Sequence, residues 1–261
     1  MNIVLFINGS LGLRVLDYMT ELKEHVVVSI FLNSNKKRDH GYMEEVRKLL
    51  EYRNLQIPII PWTLDSSECV ESKINFDLPT VGVSALFGHF IPEKMAKNFS
   101  KGILNLHPSL LPTGRGADPI PWNIIDKQVQ GISIHLIDQE IDTGDLVFQK
   151  EIPSTIAMSA GEIYEIATSE LFSEFSDVFP NWMKGDIQTY PQADSGNTSH
   201  KSSELESMRI FTEDEVGTFG DFLRRLQATT FSDGRHPSFR DNKGKIWDLT
   251  VRISDPHISK K

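Results

Sequence analysis

Met1-Asn2-Ile3-Val4-Leu5-Phe6-Ile7-Asn8-Gly9-Ser10 opens the chain, and Leu13, Val15, Leu16 and Met19 follow at helical spacing. The unbroken apolar run Ile3 to Ile7 is the pattern of a strand covered on both faces, and a glycine turn then hands the chain to an amphipathic helix. The same alternation repeats downstream. His25 to Leu32 is a second apolar run, followed by a charged stretch from Asn33 to His40 and a helical pattern from Tyr42 to Tyr52. Val81 to Leu86 and Gly102 to Leu106 add two buried strands, with Ile91-Pro92-Glu93-Lys94 opening a helix between them. Strand and helix taking turns in this way imply an α/β fold with a doubly wound, mostly parallel sheet.

Beyond Pro112 the pattern loosens. Trp122 to Asp126 reads as a short helix, Gly131 to Ile137 as a strand, and Asp145 to Lys150 as its neighbour. Ser159-Ala160-Gly161-Glu162 has capping-box spacing ahead of Ile163, Ile166, Ala167, Leu171 and Phe175, which predicts a long amphipathic helix running to about Phe179. Residues 191–207 are rich in Ser, Asn, Glu and Lys and nearly free of apolar side chains, the composition of a linker or exposed loop. The expected organisation is therefore a catalytic domain over 1–190, a linker over 191–207, and a small α+β appendage over 208–261. That appendage offers a helix around Phe219 to Gln227 and a strand around Lys245 to Arg252. No internal repeat or coiled-coil heptad is present.

Composition narrows the function classes. In 261 residues, 36 Asp and Glu against 27 Lys and Arg leave a formal charge of -9, which repels polyanions, so no nucleic-acid partner is expected. The lone Cys69 can form no internal disulfide and fits a reducing compartment. The N-terminus lacks a basic start and a long apolar stretch, and no run reaches the roughly 20 apolar residues that span a bilayer, so the expected location is the cytoplasm, away from membranes. The histidines show no metal-ligand spacing: His25, His40, His200, His236 and His257 lie scattered, and no metal is expected.

The stretch that carries chemistry is Asn105-Leu106-His107-Pro108-Ser109-Leu110-Leu111-Pro112, at the end of a buried strand. Residues i and i+2 share a strand face, so Asn105 and His107 project side by side, at the carboxyl end where open α/β sheets bind ligands. The closely following prolines fix the exit of the chain. Downstream, Ile141-Asp142-Thr143-Gly144-Asp145 places a carboxylate in a loop. An amide donor and an imidazolium can hold the oxyanion of a tetrahedral adduct, while a carboxylate orients the imidazole and favours its charged form. Such a trio suits acyl transfer without a covalent enzyme intermediate. Taken singly, each residue has an ordinary structural use, since Asp before Thr-Gly builds turns. His135, on the neighbouring strand, is a further candidate, as either a structural or a site residue.

These two motifs together resemble the signature of the folate-dependent formyltransferases, whose members include glycinamide ribonucleotide transformylase, methionyl-tRNA formyltransferase and the nucleotide-sugar N-formyltransferases. The resemblance covers roughly residues 1–190 and, more faintly, 223–231. It implies the formyltransferase variant of the Rossmann-like fold, N10-formyltetrahydrofolate as donor, and Asn105, His107 and Asp142 as the catalytic trio. It also implies a pterin pocket built from Phe87, Gly88, His89, Phe90 and Ile91 together with Asp138, Gln139, Glu140 and Ile141. Both segments follow buried strands, where exposed backbone groups can read a pterin's donor and acceptor edge.

Within the family the sequence resembles, the tail helps to discriminate the acceptor. A methionyl-tRNA enzyme is expected to carry a larger, basic C-terminal domain, whereas this tail mixes both signs of charge and ends in two lysines. Leu223-Arg224-Arg225-Leu226-Gln227-Ala228-Thr229-Thr230-Phe231 is similar to a segment of the nucleotide-sugar enzymes, in particular those acting on dTDP-linked 4-amino-4,6-dideoxyhexoses. The diphosphate of such a substrate needs donors, and Asn8, Gly9 and Ser10 at a helix N-terminus supply backbone N–H groups and a favourable dipole. Arg115, between Gly114 and Gly116, is a second candidate for the phosphates or sugar. No dinucleotide glycine fingerprint follows the first strand. The rival readings are a methionyl-tRNA formyltransferase, a formyltetrahydrofolate hydrolase with water as acceptor, and a non-catalytic folate- or nucleotide-binding module. The resemblance further implies a homodimer formed through the C-terminal region.

Overall fold

The computed structural model describes residues 1–33, 41–62, 74–193, 200, 202–232, 234–251 and 253. Cys69, His40, His257, the end of the expected strand at Arg252, most of the charged stretch 33–40 and the centre of the expected linker lie outside the described residues. A seven-stranded sheet has the order β3-β2-β1-β4-β5-β6-β7. Its strands are β1 (Asn2–Ile7), β2 (Val26–Asn33), β3 (Ile59–Trp62), β4 (Thr80–Ala85), β5 (Ile103–His107), β6 (Gly131–Leu136) and β7 (Leu146–Glu151). Strands β3 through β5 pair parallel. β6 pairs antiparallel to β5, so the sheet is mostly parallel, as the alternation predicts. The helices joining these strands are α1 (Gly9–Glu21), α2 (Tyr42–Tyr52), the short α3 (Glu93–Ala96), and α4 (Pro119–Ile125). β3 is a strand the sequence pattern does not single out. It is four residues long and contains Pro61, which an edge position tolerates because no neighbour needs its missing N–H.

The chain divides into two compact units. The first comprises Met1–His107, Ser133–Phe148 and Ser169–Gln192. β1 is covered on both faces: Ile3 to Ile7 are fully buried. Phe6 sits opposite Phe31 on β2, and their rings stack at 5.1 Å. Trp62, Phe87 and Phe99 close edge-on around Phe6, and each aromatic buried this way contributes about 1.5–3 kcal/mol. The expected long helix is α5 (Ala160–Lys184), and its capping box forms: the Ser159 N–H donates to the Glu162 carboxylate at 2.7 Å and Ser159 Oγ accepts from the Glu162 N–H at 3.3 Å. Within the first unit its later turns meet α1, where Tyr18 lies against Phe172 and Phe175. The helix continues past the expected end at Phe179, carrying Pro180 in its interior. Burial of Trp182 one turn further on offsets the backbone bond that Pro180 forfeits.

The second unit comprises Pro108–Ile132, Gln149–Thr168 and Ala193–Lys261. It holds α4, α6 (Ser202–Met208), α7 (Phe219–Ala228) and a three-stranded sheet of β8 (Ile210–Thr212), β9 (Ser238–Arg240) and β10 (Ile246–Asp248). All of α6 but Met208 falls in the stretch 191–207 that composition marks as a linker; the burial of Leu205, an apolar residue in it, anchors that helix. α7 packs on α4 and starts on an N-cap, Thr218 Oγ1 accepting from the Asp221 N–H at 3.2 Å. Arg225 joins α7 to the small sheet: its guanidinium donates to Glu215 at 2.8 Å and to the Ile210 carbonyl at 2.7 Å, and lies 4.1 Å over the Phe211 ring.

Candidate active site

Asn105 and His107 project from the last turn of β5, and the antiparallel partner β6 sets His135 directly opposite Asn105. Because β6 is antiparallel, its carboxyl end lies beside the start of β5 rather than beside the carboxyl ends of β4 and β5. Loop 137–145 must therefore fold back to bring Asp142 to the pair. It does: the Asn105 amide donates to Asp142 Oδ1 at 3.3 Å, and His107 Nδ1 lies 3.7 Å from Asp142 Oδ2. His107 is buried, Asn105 half-buried. The three residues expected to act together meet.

His135 joins them. Its Nδ1 lies 2.8 Å from the Leu136 carbonyl oxygen, which only accepts, so the ring carries its proton there. Nε2 is then an acceptor, facing the Asn105 amide nitrogen at 3.0 Å and standing 3.5 Å from Asp142 Oδ1. Both amide hydrogens of Asn105 are thereby engaged, one by His135 and one by Asp142.

Four features shape the Asp142 loop. Asp142 adopts a left-handed backbone, φ 55°, a conformation that costs a residue with a Cβ roughly 1–2 kcal/mol. Asp138 accepts from Thr143 Oγ1 at 2.6 Å and from the Glu140 N–H at 3.3 Å, closing an Asx turn. Gly144 lies so close to β6 that a Cβ there would overlap the Leu136 carbonyl oxygen. Gln192 also donates its side-chain amide to the carbonyls of Asp142 and Gly144, at 2.9 and 2.8 Å. No sequence signal marks Gln192, which sits in the polar stretch read as a linker.

The Phe87–Ile91 segment follows β4. Phe87 and Ile91 are anchored in the core, Ile137 packs against the same cluster, and Phe90 stands half exposed. His89 lies against the mutually packed Phe87 and Trp62 rings with Nε2 2.9 Å from Asn33 Oδ1; Asn33 is a second partner the sequence does not signal. On the other loop Gln139, Glu140 and Ile141 are exposed. Asn8, Gly9 and Ser10 lie at the start of α1, where the Asn8 N–H donates to the Ala85 carbonyl at 3.0 Å and Gly9 has φ 63°. Arg115 belongs to the second unit, between Gly114 and Gly116, both at positive φ. An open groove of about 390 Å³ beside α2, lined by Arg47, Leu50 and Pro58, contains none of these residues. Among the described residues, no group of three His, Cys, Asp or Glu side chains is placed to hold a metal ion, and no helix is long and apolar enough to cross a membrane.

Residues 1–171 match the family model of formyl transferases. The chain belongs to that family. It is 34% identical over 145 residues to the dTDP-4-amino-4,6-dideoxyglucose formyltransferase of Mycobacterium tuberculosis, a match covering 54% of the chain and 60% of that relative. It is 29% identical over 196 residues to the methionyl-tRNA formyltransferase of Enterococcus faecalis, covering 73% of the chain and 60% of that protein. The chain thus spans about 60% of the length of these curated relatives. Among solved structures, the N-formyltransferase of Helicobacter canadensis in complex with folinic acid and dTDP-3-aminofucose shares the fold, with a TM-score of 0.68 at 19% identity, covering 89% of this chain and 81% of that one.

Burial lowers His89 below the ordinary histidine value, and burial, then the N-terminal ammonium, lowers His25. Both bind protons less readily in the fold than in the unfolded chain, so the unfolded chain binds more protons as pH drops through about 6.5. Stability of the protein is expected to fall as pH drops through that value. In urea titrations at about pH 7.5 and about pH 5.5, the loss should be smaller for His89→Gln than for the wild type; an equal loss would remove His89 as a contributor.

Proposed function

We propose that the protein transfers a formyl group from N10-formyltetrahydrofolate to the amine of a nucleotide-linked amino sugar, with dTDP-4-amino-4,6-dideoxyglucose as the preferred acceptor. The observation that carries the reading is the meeting of Asn105, His107 and Asp142 within 3.3–3.7 Å from two segments far apart in the chain. The relatives support the acceptor class, one by its name and one by its bound dTDP-3-aminofucose.

The unprotonated amine attacks the formyl carbon, and the carbonyl oxygen becomes an oxyanion held by the Asn105 amide and the protonated His107. Asp142, facing His107 Nδ1, keeps the ring charged and turned so that Nε2–H addresses the oxyanion. Of the two bonds made by the Asn105 amide, the 3.3 Å one to Asp142 is the longer and is the one an oxyanion displaces, while His135 retains the other and holds the amide's direction. As the adduct collapses the carbon–N10 bond breaks, and the proton shed by the amine reaches N10 through His107 or an ordered water. The half-exposed side chains of Phe90 and Ile141 fit the flat ring of the donor, and Gly9 and Ser10 supply helix-terminal N–H groups for the diphosphate, the Asn8 N–H being taken by the Ala85 carbonyl.

A panel of nucleotide-linked amino sugars incubated with N10-formyltetrahydrofolate, read by mass, tests the reading. The expected result is a formyl gain on a dTDP-linked 4-amino sugar. Formate release without any amine present would establish the hydrolase instead, and salt-sensitive formylation of methionyl-tRNA would establish the reading favoured by the Enterococcus faecalis relative.

A further inference from the structure

We propose that Gln192 is a positioning residue for the trio, its side-chain amide holding the Asp142 carboxylate in place by tying down the carbonyls on either side of Thr143. The inference rests on the reading of Asp142 given above and extends it to a residue outside both sequence motifs.

Asp142 is held in a left-handed conformation, and residues with a Cβ keep such geometry only where their surroundings over-determine it. The Asp142 carbonyl points at Gln192 Nε2, 2.9 Å away, which fixes the peptide leaving Asp142 and with it the angle at which the side chain departs. The other hydrogen of the same amide reaches the Gly144 carbonyl at 2.8 Å, so one side chain clamps both ends of the Thr143 turn. Gln192 is itself held. Two residues earlier, Tyr190 and Leu146 exchange backbone hydrogen bonds of 2.8 and 3.0 Å, which docks the segment after α5 along the start of β7. The clamp thus runs from a paired backbone to the loop that must fold back across β6. The Asp138–Thr143 bond braces the turn from within, and Gln192 braces it from outside.

The Asn105–Asp142 hydrogen bond is long at 3.3 Å, and the 3.7 Å from His107 to Asp142 is an ion-pair distance beyond hydrogen-bond reach, so small movements of Asp142 change how it addresses His107. Loss of the clamp should act on the chemical step and leave substrate binding alone. The discriminating variant is Gln192→Met, which keeps length and volume and removes both donors. It should lower kcat by roughly 10- to 100-fold, with KM for donor and acceptor each within about twofold of the wild type and an unchanged circular dichroism spectrum. Introduced into Asp142→Ala, which has no carboxylate to position, the same change should cost less than about twofold.

A kcat for Gln192→Met within about twofold of the wild type, or an effect confined to KM, overturns the inference. So does a loss of equal size in the Asp142→Ala background, which would mark Gln192 as merely structural. Wild-type activity in Asp142→Ala itself would instead overturn the reading of the trio, and the inference with it; an inactive Asp142→Ala beside an active Gln192→Met removes the inference alone.

Discussion

His107→Ala and Asn105→Ala are each expected to reduce kcat by about 10²- to 10³-fold, the cost of removing one preorganised oxyanion donor. The effect belongs to the transition state, where charge develops on the oxygen, so KM should change far less than kcat. Asp142→Asn should fall by a comparable factor because, in the proposed mechanism, the ring at 107 loses the carboxylate that faces its Nδ1, although Asp142 touches no reacting atom. In the proposed mechanism these three groups act through one another, since the Asn105 amide donates to Asp142 and Asp142 faces His107. The double variant Asn105→Ala/His107→Ala is therefore expected to lose much less than the product of the single losses. Steady-state kinetics with a purified nucleotide amino sugar measure all of this. Activity within about threefold of the wild type in either single variant would sink the assignment.

Gly144→Ala carries the second large effect. The Cβ would overlap the Leu136 carbonyl oxygen, a backbone atom that no rotamer change can move aside. The loop has to lift from β6, which puts at risk the bond from the Leu136 N–H to the Asp145 carbonyl at 2.9 Å and the clamp from Gln192 to the Gly144 carbonyl. Backbone displacement of this kind costs about 1–3 kcal/mol and a lost hydrogen bond about 1 more, so a melting midpoint lower by on the order of 5–15 °C is expected. Activity should fall by roughly 10²-fold as Asp142 moves with the loop. The control is Gly220→Ala, in α7, where a Cβ meets only ordinary contacts at 3.5 Å or more and helix propensity favours alanine by about 0.5–1 kcal/mol. Calorimetry that ranks the two variants alike would remove the argument from close approach.

Much of the frame is legible in the residues. Tyr42 to Tyr52 reads as a helix and is one, over the same residues, because apolar positions recur at helical spacing and Glu44 and Glu45 sit in its first turn. The capping box at Ser159 and Glu162 forms as written. β3, β8 and β9 escape the reading, each three or four residues long and stabilised by neighbours distant in sequence, so no local period announces them. α6 escapes for the same reason: a single buried leucine holds it, and composition weighs one leucine lightly.

For the site, the sequence by itself determined which side chains are available: Asn105 and His107 two apart on a strand, and a carboxylate in a glycine-containing turn. Period two is a covalent property of an extended chain, so their shared face needs no knowledge of the rest. Tertiary structure alone decided the remainder. It turned β6 antiparallel, set His135 against Asn105, folded loop 137–145 back so that Asp142 reaches the pair, and carried Gln192 from a polar stretch beyond α5 to the carbonyls of that loop. Those are long-range hydrogen bonds, whose partners are chosen by the packing of the whole chain and leave no mark on the residues adjacent to them.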